Sequence, residues 1–224
     1  MTQELLQSVI QMGKLVREAV AKANASLLEG DKSQGEEVLA GDDQIDRMEL
    51  AITRKCAELL AVPELAADEM QEVIAVLRAI ADLERIADHA EEVALISRDL
   101  HPTYPAGIAQ RLQHMADMTS QMIQVALTAF ASRDLDQLHR LREQEDTVEV
   151  AQRWLHAEIL RYLGALPADL RTEVMLLFVS HNLGRMADHA TNIGEWASFA
   201  VTGEVGRLKS YRPSPYSPSC LPLV

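Results

Sequence analysis

The chain has 224 residues, 48% of them hydrophobic but only 4% aromatic, and carries a net charge of −13. That length can bury a sizeable core as one large domain or two modest ones, and the Ala-, Leu-, Glu- and Arg-rich mix favours helix over sheet. The charge excludes a nucleic-acid backbone as partner, since phosphate recognition needs a basic footprint, and points instead to cations and basic protein surfaces.

The opening "MTQELLQSVI" has no basic region followed by an apolar one, so it does not read as a signal peptide. No run approaches the roughly 18 apolar residues of a membrane span, so the expectation is a cytoplasmic protein without direct membrane insertion. Apolar periodicity predicts helices at roughly 2–29, 34–61, 68–100, 105–132, 135–164 and 169–203, and no convincing strand. Three starts show a polar cap followed three residues later by Glu or Gln: Ser33 with Glu36, Asp68 with Gln71, and Asp134 with Gln137. Cys56 falls in an apolar stripe of the second helix, Pro102 and Pro105 break the chain after the third, and Pro167 marks the turn into the sixth. Residues 207–224, which include Cys220, are rich in Pro and Ser and expected to be disordered. Neither a disulfide framework nor a CxxC site is implied.

The two halves repeat. Residues 27–52 run in step with 130–155 at an offset of 103, pairing Asp31 with Asp134, Asp42 with Glu145 and Asp46 with Glu149. "AVP" at 61–63 answers "ALP" at 165–167, and Ala87-Asp88-His89-Ala90 answers Ala187-Asp188-His189-Ala190. Three helices joined by short loops make an antiparallel bundle. The expected fold is therefore all-α: two tandem three-helix bundles side by side, residues 1–101 and 102–206, followed by the tail.

Acids interrupt the apolar stripes that should face a neighbour. On the third helix, steps of three and four give Leu77, Ile80, Glu84, Asp88, Glu91 and Leu95; on the sixth they give Leu177, His181, Gly184, Asp188, Asn192, Glu195 and Phe199. The preceding helices supply Asp42, Asp46 and Glu49, and Glu145 and Glu149. Turns near Pro63 and Pro167 set Asp42 level with Asp88, Asp46 with Glu84, Glu145 with Asp188 and Glu149 with Gly184. Facing carboxylates repel unless compensated. Either Arg47, Arg85 and Arg185 neutralise them in a charge-laced seam, or a hard cation is bound through oxygen. In the cation reading, Asp42, Asp46, Glu84 and Asp88 form the first site, with Glu49 and Glu92 in reserve. Glu145, Asp188, Asn192 and Glu195 form the second, where His181 or water replaces the acid missing at Gly184. Imidazole would favour iron, manganese or zinc over magnesium there.

Other chemistry finds less support. No His has a Glu three residues before it, against a ferritin-like oxidase, and Ser180 beside His181 lacks an oxyanion loop. His89 and His189 point off the acid stripe, toward interhelical hydrogen bonds. The Trp and Met residues suit core and inter-repeat contacts.

"DLERIADHAEEVA" and "LGRMADHATNIGEWA", each closing a three-helix repeat whose second helix carries "DDQID" or "EDTVE", resemble the PhoU family over roughly residues 5–206. The resemblance implies a non-enzymatic, cytoplasmic negative regulator of phosphate uptake and starvation signalling. Such a protein acts between the ATPase of a phosphate ABC transporter and a sensor histidine kinase, and assembly as a homodimer is compatible with it. It also implies a metal cluster per repeat on Glu/Asp-x-x-x-Asp, carried over here onto Glu84 and Asp88 and onto Asp188. This chain departs from the pattern at Gly184, where an acid is usual, and at Glu92, where Asn is common. A carboxylate-bridged metalloenzyme and a metal-free helical scaffold are the alternatives.

Overall fold

The computed structural model describes residues 3–100, 106–136, 138–165 and 170–204. Pro102, Pro105, Pro167, Gln137 and the tail with Cys220 lie outside the described residues. Six helices follow in order: α1 (Gln3–Glu29), α2 (Lys32–Leu60), α3 (Ala67–Asp99), α4 (Ala106–Ser132), α5 (Leu138–Ala165) and α6 (Leu170–Thr202), with no strand among the described residues.

The helix starts differ in detail from the sequence expectation. Asp31, not Ser33, caps α2: its carboxylate accepts the Ser33 backbone N–H at 3.1 Å and the Ser33 hydroxyl at 2.6 Å. The residue before α3 is Ala66, which offers no side-chain cap. Gln71 instead donates across the repeats to the Phe199 carbonyl at 2.7 Å, which uses the second lone pair of an oxygen that already accepts the Gly203 backbone N–H at 2.9 Å. Asp134 accepts the Asp136 N–H at 3.0 Å, forming a local turn before α5.

Burial follows from position. In α1 the buried residues Leu5, Val9, Met12, Val16 and Val20 recur at three and four, a single core-facing stripe. α3 is buried on more of its circumference because it packs against α1, α2 and α6. α6 likewise packs against α3, α4 and α5, and the two bundles meet where α3 crosses α6 and α1 touches α4. Cys56 is fully buried in the core, which pushes its thiol up to about 11. Of the two Trp residues, Trp196 packs on Phe199 and under Arg78 of α3, and Trp154 lies under Arg111 of α4.

α3 and α6 run antiparallel, and their contacts are reciprocal. His189 Nδ1 lies 2.7 Å from Asp82 Oδ1, and His89 Nδ1 lies 2.8 Å from Asn182 Oδ1, with the two rings 5.7 Å apart. These residues are related at an offset of 100, so an approximate two-fold axis passes between the histidines. Among the described helices α1 touches α4 whereas α2 and α5 do not touch, so α1 lies between α6 and α2 around α3, and α4 between α3 and α5 around α6. The α2–α3 and α5–α6 seams therefore open on one face of the molecule, and α1 and α4 form the opposite face.

Asp82 also accepts from Asn192 Nδ2 at 3.0 Å, so it serves two donors from the other repeat. Asp82→Ala should destabilise the protein by about 1–3 kcal/mol, because both donors lose a half-buried acceptor. Asp43→Ala, at an exposed position on α2, should stay within about 0.5 kcal/mol. Urea unfolding of the two variants measures the difference.

Candidate metal centre

In the first repeat α2 and α3 bring six acids into one seam. The half-buried Asp42 carboxyl is pushed up by burial and then by the charges of Asp46, Asp88 and Asp43. Glu84 is pushed up by burial, by Asp88, Glu49 and Asp46, against the opposing pull of Arg85. Glu91 rises through burial and the charges of Asp42, Asp88, Asp46 and Glu92. Across the seam Asp42 faces Asp88 and Glu91, while Glu84 faces Glu49 ahead of Asp46, within about a helical turn of the register that the short α2–α3 turn implies. Glu91, rather than Glu92, joins the seam. It lies seven residues from Glu84, almost in line along the helix, whereas Glu92 is rotated away by about 80° at 3.6 residues per turn and is exposed.

One cation is already engaged there. Arg85 lies 3.5 Å from Glu84 and 3.2 Å from Asp88. Among the described residues no three Asp, Glu, His or Cys side chains converge closely enough to hold a metal ion. The donor set is all oxygen and carries more negative charge than Arg85 offsets, so it fits a hard cation chemically; the carboxylates would have to close around it.

The second repeat is built differently. Gln152 Nε2 donates to the Ser180 carbonyl at 3.0 Å and His156 Nε2 lies 2.6 Å from the Ser180 hydroxyl, which fixes how α5 sits on α6. The Gln152 amide covers Gly184: a Cβ at Gly184 would come within 3.0 Å of both its terminal atoms. The residue opposite the missing acid is therefore Gln152, not His181. His181 is exposed, and its charge, after burial, helps to hold His156 below its ordinary value. Asn192 turns to Asp82 across the repeat interface and away from α5. Asp188 is held by Arg185 at 2.6 Å, Glu145 is buried, and Glu149 and Glu195 are half-buried. These four acids all make further polar or electrostatic contacts. Of the expected second set, Asp188 is engaged by Arg185, Asn192 by Asp82, and His181 is exposed within electrostatic reach of His156, while Glu145, Glu149 and Glu195 are buried or half-buried.

Gln152 and Asp82 are the residues that the sequence reading passes over, while Glu91 stands on its α3 acid stripe but outside its cation site. Asp82 had a signal, because it stands opposite Asn182 at the same offset that pairs the histidines. Gln152 had none, since only the tertiary contact shows that it lies over a glycine.

The raised carboxyls of Asp42, Glu84 and Glu91 have a direct consequence. An acid whose folded value lies above its unfolded value favours the fold while protonated, and that contribution is lost as pH rises above the ordinary carboxylate range. Glu84→Gln and Asp42→Asn should therefore stabilise the metal-free protein at pH 7 by a few tenths of a kcal/mol for each like-charge contact relieved, seen as a higher Tm. The gain should vanish near pH 4. Thermal unfolding across that range, in a chelating buffer, measures it.

The family profile described as "PhoU domain" matches this chain twice, over residues 9–96 and 112–197. The "Phosphate-specific transport system accessory protein PhoU homolog" of Aquifex aeolicus is 30% identical over 203 residues, covering 91% of this chain and 92% of the relative. The homolog of the same description from Pseudomonas putida is 29% identical over 203 residues, covering 90% and 79%. The crystal structure of PhoU from Pseudomonas aeruginosa superposes with a TM-score of 0.86 at 28% identity, covering 90% of this chain and 97% of that one. The phosphate transport system regulatory protein PhoU from Streptococcus pneumoniae gives 0.84 at 27%, covering 92% and 97%. With six helices in two repeated bundles, and both repeats matched by the same domain profile, the chain belongs to the PhoU family.

Proposed function

We propose that this chain is an accessory regulator of phosphate transport whose first-repeat seam binds a hard metal ion. The observation that carries the metal reading is the set of six acids between α2 and α3, three of them pushed up by burial first and then by neighbouring carboxylates. Asp42, Asp46, Glu84 and Asp88 would hold the ion, with Glu49 and Glu91 at the margin. Iron, manganese and magnesium suit such oxygen donors; zinc has less reason to bind without a nitrogen or sulfur ligand. Bound there, the ion would supply charge neutralisation, releasing the strain between the two helices. The second seam lacks the acid at Gly184 and has Gln152 in its place, so it is the weaker site.

The regulatory role rests on kinship: the relatives are described as accessory or regulatory proteins of phosphate transport, and no catalytic role is assigned to this chain. In this reading it works in the cytoplasm, lowering phosphate uptake and starvation signalling through contacts with a transporter ATPase and a sensor histidine kinase. Membrane association is then indirect. No helix of the described residues is long and apolar enough to cross a membrane, and a net charge of −13 disfavours anionic headgroups. The metal-free scaffold is the competing reading, favoured by the Arg85 and Arg185 ion pairs, which partly neutralise the acids without a metal.

Titration of the chelator-stripped protein with Mn²⁺ and Mg²⁺ decides between them. Asp88→Ala should abolish the tighter site and Asp188→Ala should leave it intact. Gly184→Glu combined with Gln152→Ala should strengthen binding in the second repeat. Full stoichiometry in Asp88→Ala, or no binding by the unaltered chain, would establish the scaffold reading.

A further inference from the structure

On the face away from the carboxylates, α1 and α4 enclose an open groove of about 380 Å³. Val9, Ile10, Leu127 and Phe130 form its apolar floor, and Lys14 and Arg17 stand on the α1 wall. The helices close beneath it where Gly13 meets Leu127: a Cβ at Gly13 would stand 2.7 Å from Leu127 Cδ2, so only glycine admits that side chain without a shift. From Val9 to Arg17 the wall runs for about 12 Å at about 1.5 Å per residue, which matches roughly two turns of a second helix.

Lys22, Lys55, Arg98, Arg133 and Arg171 each hold an acid on another element. Lys14 and Arg17 are exposed, and among the described residues neither forms an ion pair or hydrogen bond. Arg47, Arg54, Arg140 and Arg153 are also exposed and form no ion pair among the described residues, so what singles this groove out is that its unpaired cations line an apolar trough. α1 balances Lys14, Arg17 and Lys22 against Glu4, Glu18 and Glu29, and α4 balances Arg111 against Asp117. This face is therefore close to neutral overall, on a chain whose net charge is −13. Two unopposed cations beside an apolar trough present the complement of an acidic amphipath.

We propose that the α1–α4 groove docks an amphipathic helix of a partner protein, whose apolar side chains at i, i+3 and i+4 enter between the helices while a flanking acid meets Lys14 and Arg17. A helix fits the trough better than a bilayer does, because the binding surface is a channel two turns long with its cations on one wall, and a planar anionic membrane would meet the acids of the rest of the chain as well. The inference is independent of whether the seams on the other face bind metal.

The test uses the full chain and a displayed library of 14-residue amphipathic helices with randomised polar faces. The expected result is enrichment of clones bearing acids beside the apolar stripe. Their affinity should fall at least tenfold on the Lys14→Glu/Arg17→Glu double variant and on the groove-filling Ala131→Trp, fall with added salt, and stay unchanged on Lys22→Glu. Methyl shifts at Val9, Ile10 and Leu127 on adding the peptide would place it in the groove. Failure to enrich such clones, enrichment without acidic bias, or binding that survives both groove variants would overturn the proposal. So would two competing occupants: self-association of the chain that Ala131→Trp abolishes, indicating a second copy, or binding to vesicles of anionic phospholipid that the same variant abolishes, indicating a membrane.

Discussion

The antiparallel crossing of α3 and α6 is the contact on which the arrangement of every other element depends. Each helix presents a histidine to a polar side chain of the other, His189 to Asp82 and His89 to Asn182. Around these bonds lie fully buried small and branched residues, Ala79, Ile86, Ala90 and Ala190, which let the two helices come close. A single isolated bundle would leave these faces in water; joined, they hide the polar groups and satisfy them at the same time. Because the crossing is nearly two-fold, it also places the two carboxylate seams on a common face and brings α1 against α4 on the other.

The same near-symmetry makes the differences between the repeats informative. Asp82 answers Asn182, so one histidine meets a carboxylate and the other a neutral amide. Burial holds His89 below its ordinary value, and the charges of His189 and Arg185 add to that effect, while the Asn182 bond opposes it. Glu84 and Gly184 diverge in the same manner. One repeat keeps facing acids whose repulsion is only partly offset by Arg85; the other fills the gap with the Gln152 amide, which bonds to the Ser180 carbonyl. Duplication supplied two equivalent seams, and substitution at one position per pair has made them chemically distinct.

Charge is divided between faces as well. The seams and the outer helices carry most of the acids, whereas α1 and α4 are each balanced. One side is thus strongly acidic and the other holds an apolar, locally cationic channel, and in physiological salt the two are screened from each other beyond roughly 8–10 Å.

Local periodicity carried most of the architecture. The apolar stripe of α1, the doubled Ala-Asp-His-Ala element and the short turn at Pro63 are all readable from residues close in the chain, and together they determine six helices, two repeats and the register of α2 on α3. That register depends only on a constant rise per residue and a short loop, so the acids of α2 come opposite those of α3 to within about one helical turn without coordinates. What periodicity could not supply is the choice made by a polar side chain with more than one partner in reach. Gln71 leaves its own helix for the Phe199 carbonyl, Asn192 leaves the acid stripe for Asp82, and Gln152 occupies the space over Gly184. Each choice sets a bond within one element against a bond to an element about thirty to a hundred and thirty residues away, and only the packed structure brings the second partner close enough to win.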